Sequence, residues 1–140
     1  MSYLIRFADS SDLNAVIETD TALSAEQIQW KLQNKEFVIA LFRNELVGFI
    51  RLEYLWSKFP YIGLIRVSPT HQKQGIGKRL LAFVEKDLVE RGISKLYSSS
   101  QADEADPQHW HRHAGFKECG IINGINDGIG ELFFVKELNV

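Results

Sequence analysis

The side chains best placed to do chemistry sit in one short stretch, Val67-Ser68-Pro69-Thr70-His71-Gln72-Lys73-Gln74-Gly75-Ile76-Gly77-Lys78-Arg79-Leu80. Gly75 and Gly77 permit close backbone approach and dihedrals that other residues avoid. The residues from Ile76 onward have a helical apolar period, and no Ser, Thr, Asp or Asn stands immediately before them. The N–H groups of that first helical turn therefore lack a side-chain cap. Such a helix start accepts anions, and phosphate is the natural one. Lys73, Lys78 and Arg79 crowd the positive end of the helix dipole, where an exposed cation is unfavourable by about 0.3–1 kcal/mol. A bound polyanion reverses that sign. The alternative is a glycine-bearing turn with solvated lysines. A P-loop fits poorly because Arg79 follows Lys78 where Ser or Thr is required, and a dinucleotide fingerprint fits poorly because Leu80 occupies the place of its third glycine.

A second polar group is His109, His111 and His113, on a short predicted helix opened by Pro107 and closed by Gly115. His109 and His113 are four apart, a spacing that can hold a metal. No third ligand is near them in sequence, so no metal site is expected. Cys119 is the single cysteine. It excludes an intrachain disulfide and is expected to be a small buried hydrophobe.

The elements that must position these residues follow from periodicity. Tyr3 to Phe7 is a predicted strand. Ser10 or Ser11 caps a helix with Leu13, Val16 and Ile17 as its stripe, and Ser24, with Gln27 as capping-box partner, starts a helix whose apolar face is Ile28 and Leu32. Phe37 to Phe42 and Leu46 to Leu55 form a predicted hairpin, and Tyr61 to Val67 a further strand ended by Ser68-Pro69. From Gly75 the apolar period becomes helical through Ile76, Leu80, Val84 and Leu88, with Gly92 as the stop. Lys95 to Ser100, Phe116 to Ile122 and Glu131 to Leu138 are predicted strands, with residues 123–130 as a loop rich in turn formers. The order β-α-α-β-β-β-α-β-α-β-β indicates an α/β or α+β domain with a mixed sheet.

The chain has 140 residues, which fits one domain over 1–140. Its formal net charge of −2 argues against a nucleic-acid binder that relies on bulk positive charge. The opening residues lack the charged and apolar regions of a secretory signal, and no apolar run approaches membrane-span length. A cytoplasmic protein without membrane or nucleic-acid partners is the expectation.

Gln72-x-x-Gly75-x-Gly77 between a strand and a long helix resembles the pyrophosphate-binding signature of the GNAT superfamily of N-acetyltransferases, [RQ]-x-x-G-x-[GA]. Ala114-Gly115-Phe116 after a short helix is similar to that family's second landmark. The resemblance implies a mixed, mostly antiparallel central sheet of about seven strands flanked by about four helices. It implies acetyl-CoA as acyl donor, with backbone groups of Ile65 and Val67 pairing with pantetheine. The diphosphate would lie on the turn formed by Gln72, Lys73, Gln74, Gly75, Ile76, Gly77, Lys78 and Arg79.

The implied reaction is direct attack of a primary amine on the thioester, without a metal. The family's usual tyrosine acid falls at His111, four residues before Gly115. His111 is therefore expected to protonate the leaving thiolate, to contact substrate or CoA, or to serve structurally. The strand Tyr61–Val67 carries no carboxylate, so Glu53 is the expected base and Glu131 the second choice. Trp56 and Tyr61, with Phe59, are expected to line an acceptor pocket. The expected partner is a small-molecule amine, with a homodimer left open. A protein N-terminal or lysine acetyltransferase and a non-catalytic acyl-CoA-binding module are the alternatives.

Overall fold

The computed structural model describes residues 2–139. In chain order these form β1 (Leu4–Phe7), α1 (Leu13–Thr19), α2 (Ala25–Gln33), β2 (Phe37–Phe42), β3 (Glu45–Leu55), β4 (Phe59–Val67), α3 (Ile76–Glu90), β5 (Lys95–Gln101), α4 (Ala105–His113), β6 (Lys117–Asn126) and β7 (Ile129–Glu137), with 3-10 turns at Ser10–Asp12 and Pro69–His71. The element order is the expected one. The strands are arranged β1-β2-β3-β4-β5-β7-β6 in one seven-stranded sheet. The pairs β1–β2, β2–β3, β5–β7 and β6–β7 are antiparallel, and β4 runs parallel to β5 with Tyr61 opposite Tyr97. Among the described residues no helix is long and apolar enough to cross a membrane.

The chain divides into two compact units, one formed by residues up to Leu52 together with Leu64–Val84, the other by Glu53–Gly63 together with residues from Glu85 onward. In the first unit the two predicted helix stripes meet one core. Val16 of α1 and Ile28 and Leu32 of α2 cluster with Phe37, Ile39 and Phe49, and Leu13 and Ile17 pack at the margin. The α2 capping box is present: Gln27 N donates to Ser24 Oγ at 3.2 Å and Ser24 N to Gln27 Oε1 at 2.9 Å. At α1 the expected serine cap gives way to Asp9. Its side chain accepts from Ser11 N, while Asp12 accepts from Asp9 N. Carboxylates accept more strongly than hydroxyls, and Arg6 holds Asp12 in place with two bonds of 2.8 and 3.0 Å. That turn belongs to the 3-10 segment, so α1 proper begins only at Leu13.

Among the described residues, buried ion pairs tie helix ends to strands in this unit. Arg51 Nη1 on β3 meets Asp20 Oδ2, at the end of α1, at 2.6 Å. Lys31 Nζ meets Glu36 Oε1 at 2.8 Å and also donates to the Leu52 carbonyl at 2.7 Å.

In the second unit the expected loop over residues 123–130 is mostly strand. β6 continues to Asn126 and β7 begins at Ile129, so only Asp127 and Gly128 turn the chain. Their φ values of 47° and 95° match the mirror-image turn whose twist suits a two-residue hairpin. α4 begins two residues before Pro107, because a proline in the first helical turn forfeits no intrahelical bond. Cys119 is exposed, contrary to expectation. It sits on β6, the last strand of the sheet, whose residues are exposed through Ile125.

Removing one member of a buried ion pair costs about 3–5 kcal/mol. Asp20→Ala is expected to lose stability on that scale, measured by urea denaturation of the parent and the variant. A loss below about 1 kcal/mol, the range of exposed pairs, would show that the Asp20–Arg51 pair acts as a surface pair does.

Candidate active site

The glycine turn lies in the first unit. After β4, Ser68 N donates to Val47 O at 2.8 Å and His71 N to Ser68 O at 2.9 Å, closing the 3-10 turn. Lys73 and Gly75 then take left-handed φ values of 61° and 78°. For a lysine this is uncommon. The helical bond from Arg79 N to Gly75 O, 3.1 Å long, makes Gly75 the N-cap of α3. Glycine has no side chain to cap with, so the amides of Ile76, Gly77 and Lys78 have no acceptor within the helix. A Cβ at Gly75 would meet nothing within 4 Å, so the backbone angle is what calls for glycine there.

Lys73, Gln74, Lys78 and Arg79 are exposed. Arg79 Nη2 also donates to Tyr3 O at 3.2 Å, and His71 Nδ1 lies 3.1 Å from the Tyr3 hydroxyl. Gln72 Nε2 donates to Val67 O at 3.1 Å and ties the turn to the end of β4. A cavity of about 610 Å³ adjoins the turn, with Ile65, Val67 and Gln72 on its wall beside Gly48, Phe49 and Glu18. Three residues read from the sequence as cofactor contacts thus border one cavity.

The histidine helix lies in the second unit. His111 is buried, 4% exposed. Its Nδ1 is 2.7 Å from the carbonyl of Pro107 and its Nε2 is 2.7 Å from Ser98 Oγ. A carbonyl only accepts, so Nδ1 carries the proton and donates it, which leaves Nε2 to accept from the serine. The ring lies flat on Phe134 at 4.4 Å and edge-on to Phe116 at 5.4 Å. Burial holds its pKa below the ordinary histidine value, outweighing the opposing effects of the Pro107 carbonyl and the Glu131 charge. This is a neutral imidazole with both nitrogens engaged inside the unit. His109 and His113 on the same helix are exposed. Among the described residues no three His, Cys, Asp or Glu side chains converge as metal ligands.

Tyr61 belongs to the opposite face of the same strands. Its hydroxyl is 2.5 Å from Ser99 Oγ, and Ser99 donates to Glu131 Oε2 at 2.5 Å. Asn126 Nδ2 donates to Glu131 Oε1 at 2.8 Å. The Tyr61 ring stacks on Phe133 at 5.6 Å. Glu53 is half-buried on β3. Trp56 sits at the β3–β4 hairpin tip, 89% exposed, edge-on to Phe59 at 6.0 Å, and Phe59 in turn meets Tyr97 at 6.1 Å. Sequence reasoning passed over Ser99 and Asn126. The only signal was the run Ser98-Ser99-Ser100 inside a predicted strand, unusual for a position flanked by core.

A mixed seven-stranded sheet, with an uncapped glycine start to the helix after its fourth strand, defines an acetyltransferase class. The Acetyltransferase (GNAT) family profile matches residues 4–116, and the chain belongs to that family of acyltransferases. It is 29% identical over 96 residues to the streptothricin acetyltransferase of Streptomyces lavendulae, covering 68% of this chain and 51% of that protein. The chain thus spans about half the length of that curated relative. Its fold is shared with the ribosomal-protein-S18-alanine N-acetyltransferase of Escherichia coli, at a TM-score of 0.81 and 19% identity over 99% of this chain and 96% of that one. It is shared also with a putative streptothricin acetyltransferase of Bacillus anthracis str. Ames, solved in complex with acetyl coenzyme A, at a TM-score of 0.77 and 19% identity over 99% of this chain and 100% of that one.

The lowered pKa of His111 has a sign that can be checked. The unfolded chain takes up a proton at this histidine before the folded protein does, so stability falls as pH drops below about 6.5 and continues to fall until the folded state also protonates. The parent melting temperature should therefore decline between about pH 7 and pH 5. His111→Phe keeps a ring on Phe134 but loses both hydrogen bonds, so it should begin from a lower melting temperature and decline less across that window. Parallel slopes in circular-dichroism melts of the two proteins would mean that another group sets the acid sensitivity.

Proposed function

We propose that this chain transfers the acetyl group of acetyl-CoA to a primary amine of a small molecule by direct attack on the thioester. The observation that carries this reading is the start of α3. Three backbone amides without helical acceptors, two exposed lysines and Arg79 surround a helix N-terminus beside a cavity bordered by Ile65, Val67 and Gln72. Dipole, amides and cations all favour a polyanion at that place. The diphosphate of acetyl-CoA supplies one, and its pantetheine arm can pair with main-chain groups of Ile65 and Val67. The likeness to a streptothricin acetyltransferase supports a small-molecule amine as the acceptor class. Dependence on acetyl-CoA supports a cytoplasmic setting.

Acetyl transfer needs a proton acceptor for the attacking ammonium and a proton for the departing thiolate. Glu53 and Glu131 are the strand carboxylates proposed for the first task. Trp56, Phe59 and Tyr61 supply an apolar wall for the acceptor. Of the roles open to His111, the structural one of holding α4 on β5 is favoured, because its one ring proton is already donated to the Pro107 carbonyl and Nε2 accepts from Ser98. The thiolate then takes its proton from the acetylated nitrogen or from water.

Saturation with CoA should raise the parent melting temperature; at a concentration of 100 Kd the linkage is worth about 2.7 kcal/mol. Gly75→Glu places a carboxylate at the α3 start and should abolish the shift, and equal shifts in both proteins would move the cofactor elsewhere. Thiol release from acetyl-CoA should follow addition of streptothricin, lysine or spermidine. Release only with N-terminal peptides would replace the small-molecule acceptor by a protein one, and release with no amine would leave a binding module.

A further inference from the structure

Acetyl-CoA has an anionic end and a neutral arm but no cationic group, and this leaves one side chain of the first unit without a counterpart. The cavity bordered by Ile65, Val67 and Gln72 is bounded elsewhere by the last turn of α1, through Glu18 and Thr19. Every residue of its wall belongs to the first unit. Among the described residues lining it, Glu18 is the one acid and Arg66 the one base.

The other carboxylates near Glu18 are committed. Asp20, two residues on, is buried against Arg51 at 2.6 Å, Asp12 pairs with Arg6 at 2.8 Å, and Glu36 pairs with Lys31 at 2.8 Å. Thr19, its neighbour on the wall, donates its hydroxyl to Ala15 O at 2.7 Å. Glu18 itself lies away from the stripe that buries Val16, on the exposed face of α1. Among the described residues its carboxylate enters no hydrogen bond or ion pair, and Arg66 on the same wall does not pair with it. Asp20 N closes α1 on Val16 O at 2.8 Å, so the carbonyls of Ile17, Glu18 and Thr19 follow without helical donors. A carboxylate at that negative end of a helix is unfavourable, and a bound cation reverses the sign.

We propose that Glu18 holds a second positive charge of the acceptor, so that the acceptor class is a diamine, a polyamine or a basic amino acid rather than a monoamine. This rests on the acetyl-transfer reading above. The attacking nitrogen must lose a proton before its lone pair can form the C–N bond, and a lasting ion pair with a carboxylate holds it protonated. A second ammonium stays charged from binding to product. Its pairing with Glu18 therefore stabilises ground and transition states alike, and it is felt in KM.

The two substrates are sorted by charge within one unit. Open amides with Lys73, Lys78 and Arg79 at the α3 start suit the diphosphate, and a carboxylate with open carbonyls at the α1 end suits an ammonium. Arg66 is exposed on β4 and disfavours a cation at its own part of the wall. That leaves Glu18 as the charged group of the wall that attracts one.

The test uses two amines of equal chain length that differ by one ammonium group, cadaverine and pentylamine. Thiol release from acetyl-CoA is measured for the parent, Glu18→Gln and Glu26→Gln. Glu26 is exposed on α2 and off the cavity wall, so its variant reproduces the loss of one negative charge. The parent should favour cadaverine in kcat/KM by about 5- to 10-fold, between the worth of an exposed ion pair and that of a hydrogen bond to a charged group. Glu18→Gln should treat the two amines alike, apart from the statistical advantage of two amino groups, through a raised cadaverine KM at near-parental kcat. Glu26→Gln should keep the preference. Raising the ionic strength from about 0.1 M to about 1 M should shrink it in the parent, because screening weakens an exposed pair. A structural Glu18 would move both amines equally and give no such salt effect. The CoA-induced thermal shift should be the same in all three proteins, since the α3 start is untouched.

A parent without the preference, or a Glu18→Gln protein that keeps it, overturns the assignment and leaves acetyl transfer standing. Where neither amine is acetylated, calorimetry of cadaverine with the CoA-bound parent and Glu18→Gln decides instead. Weaker binding to the variant upholds the pairing, and equal or absent binding overturns it. Failure of thiol release with every amine, streptothricin, lysine and spermidine included, removes the transfer reading without altering that binding result.

Discussion

A β-strand can offer each side chain to only one face of its sheet, and the organisation of the second unit depends on how β5 uses that constraint. Leu96, Ser98 and Ser100 are buried, while Tyr97 and Ser99 alternate with them. Through Ser98, one face engages His111 of α4 and, beside it, Phe134. Through Ser99, the other engages Tyr61, Glu131 and Phe133. A slip of one residue in the β5–β7 register would exchange these sets and strand a glutamate in the packed layer. The polar run Ser98-Ser99-Ser100 therefore serves two environments, one on each face of the strand.

The first unit shows how a site can be built from main chain. The amides at the start of α3 are available because Gly75 occupies the N-cap and has nothing to offer them. At its left-handed φ of 78° the position excludes a serine in the extended conformation that caps a helix, so the amides stay open. Lys73 in a left-handed conformation, beside the positive end of the dipole, adds to the local cost. A cavity lined by β3, β4 and the end of α1 adjoins this unstable corner. The rest of the unit compensates with the shared apolar core of α1, α2, β2 and β3 and with buried ion pairs that set how helix ends meet strands. Local instability at a helix start, supported by strong packing elsewhere, is the arrangement expected of a binding element.

The family tie rests on the profile match over residues 4–116, and the fold is shared much more widely than the sequence. Fold likeness persists at 19% identity because alternation in strands, the helical period of α3 and the glycine turn can be met by many sequences. The side chains that choose an acceptor are under no such constraint. That is why the acyl donor can be argued from the turn, whereas the acceptor cannot be argued from the fold.

The sequence by itself determined the order of elements, the helix faces of α1 to α3, the Ser24–Gln27 cap and the helix start after Gly75. All of these rest on interactions between residues close in the chain, where periodicity and capping rules apply directly. It misjudged features that need a partner far away or a choice between similar local options. Asp9 rather than serine caps the first turn because Arg6 and Asp12 complete a local network. Asp127-Gly128 shortens a supposed loop because strand pairing extends to Asn126 and Ile129. Cys119 is exposed because β6 is the outermost strand. Most consequentially, nothing in the spacing of His111 from Gly115 reveals that its two nitrogens are taken by Pro107 and Ser98. Equally, nothing links Tyr61 to a carboxylate 70 residues later in the chain. Those outcomes depend on which strand lies beside which, and in what register, and that is settled only when distant segments pair and exclude water from one face of the sheet.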